Sequence, residues 1–215
     1  MRMNRVESAL VDSPPRRLLQ RVEAERLARM GGRTPGARVV ELGCGSGYGT
    51  KLILDVFGAA RVDAVDLDPA MIAKAAHRLT RYRGRVNLAE GSATDLTAAF
   101  AAFGGGSDAG YDAVFDFAVI HHIPRWREAL AEVARVLPPG GRFFFDEVTA
   151  TALARPSYQK LFDHPTDDRF TAGEFLAELP RHGLHVADRW RTYIGGDYLL
   201  GVATRLPSKP GQHGG

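Results

Sequence analysis

Val39-Val40-Glu41-Leu42-Gly43-Cys44-Gly45-Ser46-Gly47-Tyr48-Gly49-Thr50 is the stretch that decides how this chain folds. Val39 to Leu42 are mostly apolar and read as a buried strand. Glycine then falls at every second position, and Thr50 to Phe57 reads as a helix. Such a turn lets backbone touch a ligand. Glycine lacks the Cβ that would block approach and tolerates positive φ, and a helix N-terminus offers N–H groups. Register sorts the possible ligands. The dinucleotide fingerprint G-x-G-x-x-G fails, because counting from Gly43 ends on Tyr48 and counting from Gly45 ends on Thr50. The Gly-Lys-Ser/Thr of a phosphate loop occurs nowhere in the chain.

Working outward, strands and helices alternate. Arg16 to Met30 reads as an amphipathic helix with Leu18, Leu19, Val22, Leu27 and Met30 on one stripe, preceded by Ser13-Pro14-Pro15 as a breaker and closed by Gly31-Gly32. Ala60 to Val65 is a second strand, followed by Asp66-Leu67-Asp68-Pro69, where Asp68 suits an N-cap and Pro69 a first helical turn. A helix over 70–81 follows, then a strand at Val86 to Glu90. Residues 94–110 hold Gly104-Gly105-Gly106 and read as a loop. Tyr111 to Ile120 forms the fourth strand and its exit, Trp126 to Leu137 a helix, and Arg142 to Val148 the fifth strand. Thr171 with Glu174 predicts a capping box opening a helix to His182. Leu184 to Ile194 and Tyr198 to Arg205 predict a terminal hairpin through Gly195-Gly196-Asp197. This order predicts βαβ crossovers. The expected fold is a Rossmann-like three-layer α/β sandwich with a mostly parallel seven-stranded sheet and a C-terminal antiparallel hairpin. Residues 1–35 form an N-terminal helical segment able to act as a lid, 36–206 the main domain, and 207–215 a disordered tail.

Composition narrows the class. The 215 residues suggest one domain; 45% are hydrophobic and 25% charged, as in ordinary globular proteins. No run of about 18 apolar residues predicts a membrane span, and the N-terminus lacks an apolar signal core. Cys44 is the sole cysteine, which excludes an intramolecular disulfide and fits a cytoplasmic location. The net charge of +3 rests on scattered arginines, densest from Arg78 to Arg85. That run raises RNA as a partner. No aromatics alternate with it for stacking, so nucleic acid is not expected.

The pattern that does fit the central stretch is acidic-x-Gly-x-Gly-x-Gly, from Glu41 to Gly47. With it, the chain resembles the class I S-adenosylmethionine-dependent methyltransferases. The resemblance spans roughly residues 36–150, more loosely to 205. It implies S-adenosylmethionine as cofactor and places Glu41, Gly43, Cys44, Gly45 and Gly47 around its methionyl portion. Asp66, at the end of the second strand, is the expected acid on the ribose hydroxyls; Leu67 and Met71 are expected against the adenine. After the third strand the family often has Gly-Asp-Ala. This chain has Gly91-Ser92-Ala93, which leaves Ser92 and the Ala93 N–H, with Asp95 as a second acid nearby. Asp116 and Phe117 close the cofactor set.

The reacting groups are expected at the fourth-strand exit. Methyl transfer needs an aligned acceptor, and a base only where the acceptor carries a proton. His121 and His122 are the candidates, with Glu147 at the fifth-strand end facing the acceptor pocket. The His-His-Ile-Pro run resembles the small-molecule branch that includes quinone-biosynthesis and natural-product enzymes. Asn/Asp-Pro-Pro-Tyr/Phe, found in DNA and protein-glutamine enzymes, is missing. No metal site is expected, since adjacent histidines diverge and no carboxylate has ligand spacing. Tyr158, Phe162, Phe170 and Trp190 are expected to wall an apolar acceptor site, with His164 a further base candidate. The expected partner is a small-molecule acceptor, lipid-like and quinone-like ones included, for a monomer or homodimer. The alternatives are an RNA-directed methyltransferase and a non-catalytic, regulatory S-adenosylmethionine-binding protein.

Overall fold

In the computed structural model the described residues are 13–108, 110–155 and 168–207. Tyr158, Phe162, His164 and nearly all of the expected tail lie outside them. The chain runs α1 (Pro14–Gly31), β1 (Arg38–Leu42), α2 (Tyr48–Leu52, continued by a π-helical turn Ile53–Phe57), β2 (Arg61–Asp66), α3 (Pro69–Arg78) and β3 (Val86–Glu90). It continues through α4 (Leu96–Phe100), β4 (Ala113–Phe117), α5 (Trp126–Val136), β5 (Arg142–Val148), α6 (Ala150–Leu153), α7 (Ala172–Glu178), β6 (Leu184–His185), β7 (Trp190–Tyr193) and β8 (Tyr198–Arg205).

The sheet order is β3-β2-β1-β4-β5-β8-β6. Pairs among β1 to β5 are parallel, and β8 runs antiparallel to β5. The strand expected over 184–194 is interrupted. Ala187 has φ 49°, in the left-handed region, and this breaks the run into β6 and β7. The two pieces pair end to end along β8, at Leu184–His185 and Trp190–Tyr193. The seven expected strand positions therefore hold eight strands.

Strand alternation divides the core in two. Val40, Leu42, Val114, Phe143 and Phe145 face α4, α5 and α7. Val39, Ala113, Phe115, Phe144 and Val202 face α1, α2 and α3, with Phe57 edge-on to Phe115 at 4.7 Å. The result is the expected three-layer sandwich, and both layers aim their loops at the carboxyl ends of β1, β4 and β5.

Local chemistry sets the ends of elements. Asp68 Oδ1 accepts from the Ala70 N–H, capping α3. Thr171 and Glu174 form the predicted capping box. Pro14 and Pro15 begin α1 rather than excluding it, since prolines suit the first turn. Residues 94–110 depart from the expected loop: Asp95 accepts from the Ala98 N–H and starts α4. Asp95 is therefore a cap and not a ligand acid. The stripe expected on α1 also divides. Leu27 is buried, whereas Leu18, Leu19 and Val22 are exposed.

Candidate functional site

A cavity of about 660 Å³ opens at the carboxyl ends of β1, β2 and β4, bordered by α1 and the β8 start. The glycine turn forms its floor. Gly43 (φ 57°) lies so close to Val119 that a Cβ would collide with it. At Gly49 a Cβ would strike the Glu41 carboxylate. Gly47 does not face the cavity: it packs toward α3, where a Cβ would meet Ala75 and Leu79 at 3.0 Å. It serves the turn and not a ligand, correcting the expectation. From α3, Arg78 donates to the Ser46 carbonyl at 2.8 Å and also to the Ser46 hydroxyl, fixing the turn from outside.

Glu41, Gly43, Cys44, Gly45, Asp66, Leu67, Met71, Ser92, Ala93 and Phe117 all line the cavity. Asp66 accepts from the Gly45 N–H at 2.8 Å and the Asp68 N–H at 2.9 Å, which joins the turn to the β2 end. Burial pushes its pKa up while those two N–H groups oppose the rise. Ser92 is turned into its own loop, its hydroxyl 2.7 Å from that of Thr94. Glu41 is almost fully buried and accepts from the Thr50 hydroxyl. Burial raises its pKa to about 8, and the nearby Asp66 carboxylate adds to this. Burial likewise raises the Cys44 thiol.

These residues suit S-adenosylmethionine. The turn leaves no side chain at Gly45, where nothing lies within 4 Å of a Cβ. A buried carboxyl at Glu41 with a raised pKa is an environment that gains from a cationic ligand. Leu67, Met71 and Ala93 offer an apolar flank on the Asp66 side.

His121 and His122 line the same cavity, their ring centroids 4.1 Å apart. Glu147 does not line it. It lies behind His121, fully buried, accepting from the Ile120 N–H at 2.7 Å and the His121 N–H at 3.2 Å, with His121 Nδ1 at 2.6 Å. Asp116 is also absent from the wall. Its Oδ1 accepts from the Val119 N–H at 3.0 Å. Its Oδ2 is buried with no N–H or hydroxyl donor among the described residues, and Glu147 adjoins it. Two buried carboxyls in contact cannot both ionise. Burial and Glu147 drive the Asp116 pKa well up, which points to Asp116 as the protonated member of the pair. Glu147 itself rises to about 7 by burial, held back by its hydrogen bonds. The expectations that Asp116 touches the cofactor and that Glu147 faces the acceptor are thus both corrected.

Other walls come from positions the motifs did not mark: Arg16, Leu19 and Gln20 of α1, and Tyr198 of β8. Arg16, Leu19, Gln20 and Glu23 stand at i, i+3, i+4 and i+7, one helix face, a signal that was present but not read. Arg16 Nη1 donates to Glu23 at 2.7 Å. Asp146 adjoins this pair, its pKa raised by burial and Glu23 and lowered by Arg16. Phe170 and Trp190 are not cavity walls. Phe170 is buried against Trp126 at 4.9 Å, and Trp190 packs on the same core. Among the described residues, no group of three or more His, Cys, Asp or Glu could hold a metal. No helix there is long and apolar enough to cross a membrane.

A parallel sheet, a glycine turn on β1 and an acid at the β2 end define a Rossmann-like cofactor-binding domain. Residues 39–141 match the model of the methyltransferase domain family. A fatty-acid O-methyltransferase of Mycolicibacterium smegmatis is 33% identical over 155 residues, covering 70% of this chain and 47% of that protein. A malonyl-[acyl-carrier protein] O-methyltransferase of Serratia marcescens is 32% identical over 135 residues, covering 63% of this chain and 48% of that protein. The chain spans less than half the length of these curated relatives. Among solved structures, the Burkholderia thailandensis 1,6-didemethyltoxoflavin-N1-methyltransferase with bound S-adenosylhomocysteine superposes with a TM-score of 0.63 at 24% identity, covering 87% of this chain and 78% of that one. Residues 39–141 thus carry a methyltransferase domain, and the residues that line the cavity suit S-adenosylmethionine as its cofactor.

Proposed function

We propose that this chain methylates a small-molecule acceptor that gives up a proton as it reacts, with His121 as general base. The observation that carries this is the 2.6 Å contact between His121 Nδ1 and Glu147, behind a ring that lines the cavity. Glu147 holds the Nδ1–H tautomer, which turns Nε2 toward the acceptor side as the proton-accepting atom. Glu147 is thus a positioning residue. Bound cofactor supplies a methyl activated by positive sulfur. Asp66 would hold its ribose, Leu67 and Met71 its adenine, and the Gly43–Gly45 backbone with Glu41 its methionyl end. Phe117 and the Ala93 N–H complete the cradle.

The fatty acid named for one relative supports a small, lipid-like acceptor here. The run that raised RNA is used within the fold. Arg78 binds Ser46, Arg81 donates to the Tyr82 hydroxyl at 2.8 Å, and Arg85 donates to the Ala59 carbonyl at 2.7 Å.

A screen of small-molecule acceptors with tritiated S-adenosylmethionine tests the reading. Label transfer is expected for the wild type. His121→Ala is expected to lose about 10²–10⁴-fold in turnover while binding S-adenosylhomocysteine normally by calorimetry. Full turnover in His121→Ala would remove the base, and absent S-adenosylhomocysteine binding would remove the cofactor site.

A further inference from the structure

On α1, Leu18 is 65% exposed, Leu19 46% and Val22 38%. They stand at i, i+1 and i+4, so they form one contiguous apolar patch. Leu19 belongs to the cavity wall as well as to this patch. Four residues beyond Val22, the Arg26 guanidinium lies 4.8 Å over the Tyr193 ring. That contact ties the stripe to the β7–β8 turn. Next to Tyr193, Ile194 is 67% exposed with φ 51°. A β-branched residue is costly in that conformation, yet here it projects a large apolar side chain into solvent. From Leu19 to Arg26 the stripe runs about 10 Å along the helix at 1.5 Å per residue.

We propose that this stripe is the binding track for the aliphatic tail of the acceptor. The acceptor is then an amphiphile, with its reacting head beside His121 and its chain leaving over Leu19 onto Leu18 and Val22 toward Ile194. The continuity through Leu19 is what commits the track to the molecule in the cavity. An apolar surface serving a separate partner would have no need to begin inside the pocket wall. The proposal rests on the small-molecule reading above and deepens it, since it fixes the acceptor as long-chain and not compact.

The test uses the full chain saturated with S-adenosylhomocysteine and a dansyl-labelled fatty acid as probe. The variant is Leu18→Ser/Val22→Ser, at two exposed positions outside the cavity wall. Wild type is expected to bind the probe, and unlabelled fatty acids are expected to displace it more strongly as their chains lengthen. The variant is expected to bind the probe about tenfold more weakly, the loss of a partly covered apolar contact, and to lose the dependence on chain length. Its S-adenosylhomocysteine affinity is expected to match wild type. Three results would overturn the proposal: no probe binding by wild type, equal probe affinity in both proteins, or stripe-dependent binding to phosphatidylcholine or phosphatidylglycerol vesicles instead of the probe. Failure to bind S-adenosylhomocysteine would instead sink the underlying methyltransferase reading, so the two failures are distinguishable.

Discussion

Asp116 is the residue whose part in the site departs furthest from what its place in the sequence suggested. Its neighbours Phe115 and Phe117 face the α1 side of the sheet, so Asp116 faces the other side with Leu42 and Phe145, its register partners. Alternation gives opposite faces to adjacent residues, but it does not say which face carries the cavity. That depends on how the crossovers wind, which no local pattern encodes. The same ambiguity covers Glu147, which stands one layer behind the cavity. His121, Asp66 and the glycine turn were legible because each sits at a strand end, where loops must converge. If Asp116 is a neutral donor to Glu147, an amide can replace it. Asp116→Asn is expected to keep the His121 imidazole nitrogen shifts of the wild type by NMR and to lose carbonyl absorption of a protonated carboxyl in the infrared. Asp116→Leu is expected to disturb the His121 shifts. Unchanged infrared absorption in Asp116→Asn would mean that Asp116 is ionised.

At the scale of elements, α3 does two jobs. Its Asp68 cap ends the cofactor strand β2, and its last residue, Arg78, secures the glycine turn of β1. Arg78→Met is expected to weaken S-adenosylhomocysteine binding by roughly tenfold, about 1.4 kcal/mol, with Arg78→Lys partly restoring it. Calorimetric affinity equal to wild type in Arg78→Met would show that the turn holds itself. The capping box on α7 offers a purely structural control. Thr171→Ala is expected to cost about 1 kcal/mol, read as a lower unfolding midpoint with unaltered ligand affinity. Elements were legible where period and caps agreed, as in α3, α7 and β5. They were missed where punctuation misled. Gly104-Gly105-Gly106 signals a loop more strongly than the upstream Asp95 signals a cap, so α4 is not legible in the pattern. The left-handed Ala187 carried no signal at all, because alanine has no preference for that conformation.

Across the whole molecule, buried acids shape the response to pH. Glu41 rises from 4.5 to about 8 and Glu147 from 4.5 to about 7, while Asp116 and Asp146 also rise. Burial is the leading cause in each. Between the unfolded and folded values the native protein holds protons that the unfolded chain has released. Stability of the cofactor-free protein therefore falls as pH climbs through that window. Asp55 and Glu174, held below their usual values, give the opposite slope only at lower pH. The unfolding midpoint is expected to be higher near pH ~5.5 than near pH ~8, and Glu41→Gln is expected to flatten part of the difference. A midpoint that climbs over this range would contradict the assignment. The layered fold itself was legible because its alternation of strands and helices leaves few topologies.

The Arg16, Glu23 and Asp146 cluster has a consequence for how the enzyme can diversify. The sheet carries the glycine turn and the histidine, while α1 contributes cavity wall and the apolar stripe. Exchanging α1 for a helix of different surface would reshape that wall and leave the glycine turn in place. The exchange is not free. Asp146 belongs to β5, its buried Oδ2 has no hydrogen-bond partner among the described residues, and Arg16 and Glu23 are its companions from the helix. A transplanted helix must bring both side chains at the same seven-residue separation, or Asp146 must be replaced along with it. Segment shuffling at this terminus is therefore constrained to cassettes that include a matching residue in the fifth strand.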